Sequence, residues 1–504
     1  MKKWKQAAVL LLALVMLFTL ASCGGSKEQK NKTITIAVPF VYDSLDTHKD
    51  FQGWYTSIYG VTESLFKMDD AGKAVPCLAK SAKQNGRTWT IKLSRKAKFS
   101  NGDPVTSSMV ARNLKRAGKV NNRYKSFNTY KFDTSKKHTL TITTPSPVPT
   151  LKNTLSSPCL GILDLDGSKD LDTSIIGTGP FTVLQFTPHG NVSVVRNEHY
   201  WNGKVHLSAA NFYYAKQDAP KLLGMRLGNL DAVTNVTSDA LTSYRQDPHN
   251  YNIVSVPGSR LLYFYLNHKT LDANLRKAIN GYLNKSYVEK FLHGAITKTT
   301  GPFKDDLPYG KAKAPAKLNA DQCKDLLQKS GYTLNSEGIF EKDGTPLKIR
   351  ISTYGSYSLD ALAKLMQKQL KTIGIDSTIT VAESPDADYM KTGDFDVAFY
   401  SLIPDKENDP YDFLEKTMGK DGSRNPCGYG NKKTESLLNE LKNTEGAAKR
   451  ARLANQLVQM AIDSGDFGYI GLVNKITVLR KGVSGISETS PYDFYCLTKD
   501  STVK

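Results

Sequence analysis

The stretch Glu63-Ser64-Leu65-Phe66-Lys67-Met68-Asp69-Asp70-Ala71-Gly72-Lys73-Ala74-Val75-Pro76-Cys77-Leu78-Ala79-Lys80-Ser81, with the segment that follows it, decides the fold of this 504-residue chain. Lys80 to Ser100 reads as a β-hairpin. Trp89-Thr90-Ile91-Lys92-Leu93 alternates with a period of two, which turns one strand face inward, and Asn85-Gly86 before it is a turn dipeptide. Asn101-Gly102-Asp103-Pro104 is a second turn, and Ser107 to Lys119 reads as a helix.

Upstream, Thr33-Ile34-Thr35-Ile36-Ala37-Val38 is an entry strand ending at Pro39. Downstream, Thr139–Thr143 is a short strand, and Gly177-Thr178-Gly179-Pro180 breaks the chain before a strand pair at Phe181–Phe186 and Val192–Arg196. Further on, Leu275–Gly294 and Leu359–Ile373 read as amphipathic helices. The second sets Leu359, Leu362, Leu365, Met366, Leu370 and Ile373 on one side. Lys433–Asp463 gives one or two helices, interrupted near Gly446, and strands are expected at Leu347–Ser352, Ser377–Val381 and Asp396–Tyr400. Helix alternating with strand predicts an α/β or mixed α+β class, of which α/β is taken here. Gly228-Asn229-Leu230-Asp231-Ala232-Val233 and Gly393-Asp394-Phe395-Asp396-Val397-Ala398 share one glycine–apolar–aspartate–apolar pattern, as if two lobes were built alike.

The N-terminus reads as an export signal. Lys2, Lys3 and Lys5 precede an apolar run from Ala7 to Leu20, too short to span a bilayer comfortably. It ends in Leu20-Ala21-Ser22-Cys23, small residues before one cysteine, which resembles a lipobox. The expectation is a signal peptide over 1–22, diacylglycerol on the Cys23 thiol, a flexible leash over 23–32, and a lipid-anchored protein on the extracytoplasmic face of the cell membrane. Losing residues 1–22, with three lysines and no acid, takes the net charge from +20 to +17. The basic residues are scattered and form no basic helix, so the charge describes a solvated surface facing anionic lipid and wall, not a nucleic-acid partner. Cys77, Cys159, Cys323, Cys427 and Cys496 remain; five is odd, so at least one thiol is free or pairs between molecules.

No catalytic constellation emerges. The eight histidines form no helix-spaced metal pair, and G-x-S-x-G, P-loop and complete G-x-G-x-x-G motifs are missing. Gly177–Pro180 looks superficially like a phosphate loop, but Pro180 removes an N–H, and a rigid turn is the better reading. The expectation is a non-enzyme without a cofactor.

Several segments together resemble the family 5 solute-binding proteins of bacterial ABC importers, which bind dipeptides, oligopeptides or nickel. They are Glu63–Ser81, Trp89–Leu93, Phe99–Val105, Gly177–Phe181, Arg196–Trp201, Leu266-Asn267, Leu275–Asn280, Asp409–Leu414 and Gly428–Asn431, in order across nearly the whole mature chain. The resemblance implies a two-lobed, type II periplasmic-binding-protein-like α/β fold with the ligand cleft between lobes. Lobe I would use 33–76, 175–262 and 477–504, an extra subdomain 77–174, and lobe II 263–476. It also implies a monomer that closes on a small-molecule ligand and delivers it to a permease driven by a separate ATPase.

For the ligand, the resemblance leaves two readings. A nickel ion carried as a small-chelator complex is favoured, as cargo and not cofactor; a di- or oligopeptide is the alternative. Among nickel binders a protein histidine completes the metal shell, and His48 in Leu45-Asp46-Thr47-His48 takes that place, although the same segment occurs in peptide binders. Gly53-Trp54-Tyr55 looks closer to the nickel branch, which puts Trp54 and Tyr55 at the ligand. The loop Ser423–Tyr429 offers Arg424 for a carboxylate, Asn425 and Tyr429 for hydrogen bonds, and Cys427 as a soft metal ligand or a small buried residue. Nickel binders tend to carry an arginine in the segment that here reads Ser156–Ile162, where none stands. Asp409 falls where peptide binders receive an ammonium, or else is a turn residue before Pro410. Tyr354, Tyr357 and Tyr400 lie at or just after strand ends, where open α/β sheets place ligands. Trp89, Trp201 and Gly177–Pro180 are read as scaffold.

Overall fold

The computed structural model describes residues 32–40, 42–69, 72–405, 409–486 and 496–504. The expected signal peptide and Cys23 lie outside them.

β1 (Thr33–Val38) runs down the middle of an 11-stranded sheet. The chain then leaves to build a four-stranded antiparallel sheet from β2 (Ala79–Asn85), β3 (Thr88–Leu93), β4 (Lys131–Lys136) and β5 (Thr139–Thr143), in the order β2-β3-β5-β4. On it packs α1 (Ser107–Val120), whose first turn is capped by the Thr106 hydroxyl accepting from the Met109 N–H. The expected hairpin is present, with a turn at Gly86. The chain re-enters the large sheet through β6 (Phe181–Phe186), β7 (Val192–Arg196) and β8 (Ala209–Tyr214). α2 (Asp218–Leu227) and β9 (Ala232–Thr234) follow. At the re-entry Gly177 and Gly179 press on the Val61 and Gly60 carbonyls so closely that a Cβ at either would overlap them. The motif is a seam between segments, and close approach is what the glycines supply.

β10 (Tyr251–Leu266) is one of two long strands. After it come α3 (Ala273–Tyr282), α4 (Lys285–Phe291), β11 (Ile296–Lys298), β12 (Lys348–Tyr354), α5 (Leu359–Thr372), β13 (Asp376–Ala382) and β14 (Val397–Leu402). α6 (Lys432–Asn443) and α7 (Ala447–Ser464) lead into the second long strand, β15 (Phe467–Arg480). The sheet order is β13-β12-β14-β10-β15-β9-β1-β8-β7-β6, with β11 added to β15. β10 and β15 pair antiparallel from Tyr251↔Arg480 to Tyr265↔Phe467, with the register broken between Pro257 and Arg260 and between Leu262 and Tyr263. Pro257 has no N–H to give the ladder, which favours an irregularity there.

Buried apolar side chains sort on either side of that break. Two clusters draw on residues up to Tyr251 and from Ile476 onward; the other two draw on Leu261 to Leu472. The architecture is the expected two-lobed α/β fold, with one sheet shared by both lobes.

The echoed motifs occupy equivalent places. Gly228 and Gly393 both adopt left-handed backbone, with φ of 78° and 68°. The Asp231 N–H donates to the Thr35 carbonyl at 2.8 Å, and its carboxylate accepts the Thr35 N–H at 2.8 Å. Asp396 does the same with Arg350 across β14 and β12, at 3.0 and 2.8 Å. Arg480 then pairs with Asp231 and Arg350 with Asp396, at 3.3 and 3.1 Å. Each lobe thus bolts a parallel strand pair with one aspartate.

One expectation changes and another is sharpened. Leu275–Gly294 is not one helix: α3 ends at Tyr282, and the Asn284 side chain accepts from the Tyr287 N–H to start α4. The 433–463 segment is two helices, parted at Gly446 with φ 90°. Cys77, Cys159, Cys323 and Cys427 are free thiols.

The aspartate bolts lead to a stability test. Asp396→Ala leaves the Arg350 N–H without its acceptor and should lower unfolding free energy by about 1–3 kcal/mol. Asp231→Ala should cost less, because the Asp231 side chain is 21% exposed against 9% for Asp396. Urea unfolding of both variants checks the size and the order.

Candidate functional site

The carboxyl ends of β12 and β14 carry the richest polar and aromatic surface near the crossing strands. Tyr354 closes β12, and its hydroxyl lies 2.7 Å from the Ser401 hydroxyl on β14. Arg260, the first residue of β10 past the Pro257 break, donates to the same Ser401 hydroxyl at 3.3 Å. Its guanidinium also sits 4.5 Å from the Tyr357 ring centroid. Tyr357 is 45% exposed, and both it and Ser358 hold left-handed backbone, with φ of 55° and 60°. For a tyrosine that conformation costs energy, of order 1–2 kcal/mol, and the surrounding structure must impose it.

Tyr400 stands beside Tyr354, with ring centroids 5.9 Å apart. Its hydroxyl donates to Asp386, and burial followed by that bond raises its pKa. Arg424 reaches the same carboxylate at 2.9 Å while its guanidinium faces the Tyr400 ring. The Arg424 carbonyl accepts from the buried Tyr265 hydroxyl at 2.6 Å, which is itself 2.8 Å from the Tyr263 hydroxyl. These bonds fix the loop that carries Arg424.

The opposite wall comes from lobe I, just past the end of β1. Phe40, Tyr42 and Tyr55 form one aromatic group, with Tyr42 stacked on Tyr55 and Phe40 5.4 Å from Tyr55. Burial raises the pKa of the Tyr42 hydroxyl, and the electrostatic influence of Tyr357, across the cleft, adds to the rise. Trp54 packs edge-on to Phe51 and against the lobe I core. The lobes also touch away from this cleft, where the Gln84 amide on the β2 hairpin donates to the Glu445 carboxylate, between α6 and α7, at 3.1 Å.

The remaining expected site residues are placed otherwise. His48 is fully buried and both ring nitrogens are engaged: Nδ1 accepts from Arg116 at 3.0 Å and Nε2 faces the Gly161 carbonyl at 3.0 Å. Arg116 in turn holds the buried Asp46 in a two-pronged pair at 2.7 and 2.6 Å. Burial, then the Arg116 charge, pushes the His48 pKa down to about 4. His48 is a neutral structural group, and the metal-ligand expectation is corrected. Cys427 lies in the lobe II core, and burial pushes its thiol up to about 12, so it offers no thiolate.

Asp409 is clasped by Arg450 through both oxygens and accepts the Tyr411 N–H at 2.9 Å, so its charge is matched within the protein and it braces the start of a helix. Asn425 spends its side chain on Gly419, Tyr429 and the Tyr429 N–H. Tyr429 is buried edge-on to Phe467, and burial pushes its hydroxyl up to about 12. Of the loop 423–429, Arg424 alone among the expected contacts faces the cleft. The scaffold readings agree with the geometry. The Trp89 indole donates to Val148, while Tyr200 and Trp201 both donate to Glu63 at 2.8 Å. Arg260, Ser401, Asp386, Phe40 and Tyr42 were missed. The one signal was Arg260, a charge set between Pro257-Gly258 and an apolar strand.

Two lobes on one shared sheet, with aromatic and basic side chains of one near an aromatic group of the other, define the class of ligand-binding proteins. The chain belongs to the bacterial extracellular solute-binding proteins, family 5, whose model matches residues 73–425. Members of this family are transport binding proteins and not enzymes. The chain is 26% identical to the nickel-binding protein NikA of Staphylococcus aureus, over the whole of both chains. It is 23% identical to the oligopeptide-binding protein OppA of Bacillus subtilis, over 92% of each. The crystal structure of S. aureus NikA in complex with Ni(L-His)2 superposes with a TM-score of 0.75 at 25% identity, covering 94% of this chain and all of that one.

The His48 geometry fixes a pH test. Its pKa falls from 6.5 in the unfolded chain to about 4 in the fold, so below 6.5 the unfolded state takes up the extra proton. Stability is expected to fall as pH drops through this window, and His48→Asn should lose part of that dependence. Urea midpoints at several pH values measure it, and ligand affinity of the variant should stay within twofold of wild type.

Proposed function

We propose that this chain is the lipid-anchored, extracytoplasmic substrate-binding subunit of an ABC importer, and that it captures nickel as a small-chelator complex. Lobe I comprises 33–76, 175–262 and 477–504, with 77–174 as its extra subdomain, and lobe II comprises 263–476; the division of the buried clusters at β10 and β15 supports these bounds. Closure of the lobes on the chelate presents it to the permease, and a separate ATPase drives transport. The chain acts as a monomer held to the membrane through Cys23. Closure follows the ligand only as far as the ligand touches both walls, which the facing groups Phe40/Tyr42/Tyr55 and Tyr354/Tyr357/Tyr400 permit.

The observation that carries the nickel reading is the full-length similarity to a nickel binder, combined with the occupied state of the protein's own donors. Among the described residues no group of three or more His, Cys, Asp or Glu could hold a metal ion. In this reading the chelator supplies the coordination sphere, and the protein recognises the complex by shape, stacking and charge. A peptide ligand is the second reading, favoured by the similarity to OppA. Against it, Asp409, the acid expected to receive a peptide ammonium, is spent on Arg450.

Calorimetric titration of the full chain, purified in detergent, separates the readings. Ni(L-His)2 is expected to bind with micromolar or tighter affinity, and free Ni2+ and a di- to tetrapeptide pool to give no saturable heat. Peptide binding without chelate binding would sink the nickel reading. For the anchor, Cys23→Ser expressed in its host should lose incorporation of labelled palmitate and move from the membrane fraction to the medium.

A further inference from the structure

Away from the cleft, α2 turns the usual helix pattern inside out. A helix lying on a sheet buries its leucines and shows its lysines. α2 instead buries Lys221 and leaves Leu223 and Leu227, neighbours on one helix face, 58% and 65% exposed. Lys221 is held inside because it donates to Asp218 at 3.4 Å and to the Thr234 and Asn235 carbonyls at 3.3 Å. The two leucines border a groove of about 640 Å³ between α2 and β8, whose other walls include Thr35, the exposed Tyr213, Lys216 and Leu230. No acidic side chain lines it. The nearby Asp218 and Asp231 are paired with Lys221 and Arg480. Lys216 and Arg226 are both exposed, with no acid within ion-pair distance among the described residues. An apolar patch rimmed by unmatched cations fits a surface that is anionic on top and apolar beneath.

The place of this face in the fold names that surface. β8 and β9 both pair parallel with β1, so α2 runs back along them and brings Leu227 to the end where β1 begins. Just past Leu227, the Asp231 N–H donates to the Thr35 carbonyl at 2.8 Å. β1 starts at Thr33, and a chain running there from Cys23 extends about 35 Å at most. The groove thus flanks the point where the leash enters lobe I. We propose that α2 and β8 form the face with which lobe I rests on an anionic lipid bilayer. Leu223 and Leu227 enter the headgroup region, Tyr213 lies at its level, and Lys216 and Arg226 meet lipid phosphates. Such a patch binds weakly by itself, and the tether multiplies its effect by holding the bilayer at high local concentration. Contact through lobe I alone leaves lobe II free to close. This inference rests on the proposed anchor at Cys23, and its test is arranged to fail separately from that reading.

The full lipidated chain is reconstituted into phosphatidylcholine vesicles with and without phosphatidylglycerol, and Leu223→Trp reports on the face. With phosphatidylglycerol present, its emission is expected to shift to the blue and to be quenched at least twofold by dibrominated lipid, over the background of the native tryptophans. Leu334→Trp, at a lobe II position that is 51% exposed, should stay unquenched. Lys216→Gln with Arg226→Gln, or high salt, should at least halve the quenching at Leu223→Trp. Thermal unfolding within a few degrees of wild type establishes that the variants are folded. Equal quenching at both positions, none at Leu223→Trp, or quenching indifferent to charge overturns the assignment. A blue shift of Leu223→Trp that grows with concentration of the Cys23→Ser chain in buffer without lipid gives the face to a second copy, and overturns it too. If the chain carries no lipid and does not stay with the vesicles, the anchor reading fails on its own. The face is then read from flotation of the Cys23→Ser chain with phosphatidylglycerol vesicles at high lipid concentration. Binding that Leu223→Ser with Leu227→Ser weakens at least threefold supports it, and no such loss overturns it.

Discussion

The pairing of β10 with β15 is the constraint on which the rest of this molecule depends. Both strands belong to both lobes, so neither lobe completes its sheet without them, and relative motion of the lobes must be absorbed along their length. The ladder is weakest where Pro257 offers no N–H and the register slips before Arg260. That places the compliant segment beside the ligand cleft. The lobes themselves are stiffened by the aspartate bolts at Asp231 and Asp396, which set the same parallel strand pair in the same register on each side.

Much of the fold was legible because local patterns and tertiary demands agree. The strands at Thr33–Val38, Thr139–Thr143, Phe181–Phe186 and Val192–Arg196 alternate or are flanked by breakers, and they end where the sequence says they end. The glycine–aspartate echo, legible as a shared pattern, is in both places a left-handed glycine followed by a buried strand. The failure at 275–294 has a simple origin. The apolar spacing of α3 carries on into α4, and only Asn284, an ordinary polar residue within that spacing, ends one helix and starts the next.

The site was less legible, because a binding wall is a matter of which polar groups remain unspent after folding. His48, Asp409 and Asn425 have the right chemistry, yet each is consumed by a partner distant in sequence or by its own loop: Arg116, Arg450, Gly419. Sequence shows donors and acceptors but not their prior commitments. Tyr354, Tyr357 and Tyr400 can be named as candidates from the sequence because strand ends are places where a side chain can face an opening whatever the ladder does. Arg260 was passed over because it falls within a strand, and the bulge that exposes it is a property of the pairing with β15.

The thiols carry a consequence of another kind. Cys77, Cys159, Cys323 and Cys427 form no disulfide, and three of them are buried, so these thiols place no covalent cross-link between the described segments of either lobe. Folding after export therefore waits on no oxidant and no shuffling of bonds. At these four positions the native packing is reached with the thiol, whatever the redox poise of the surroundings during folding.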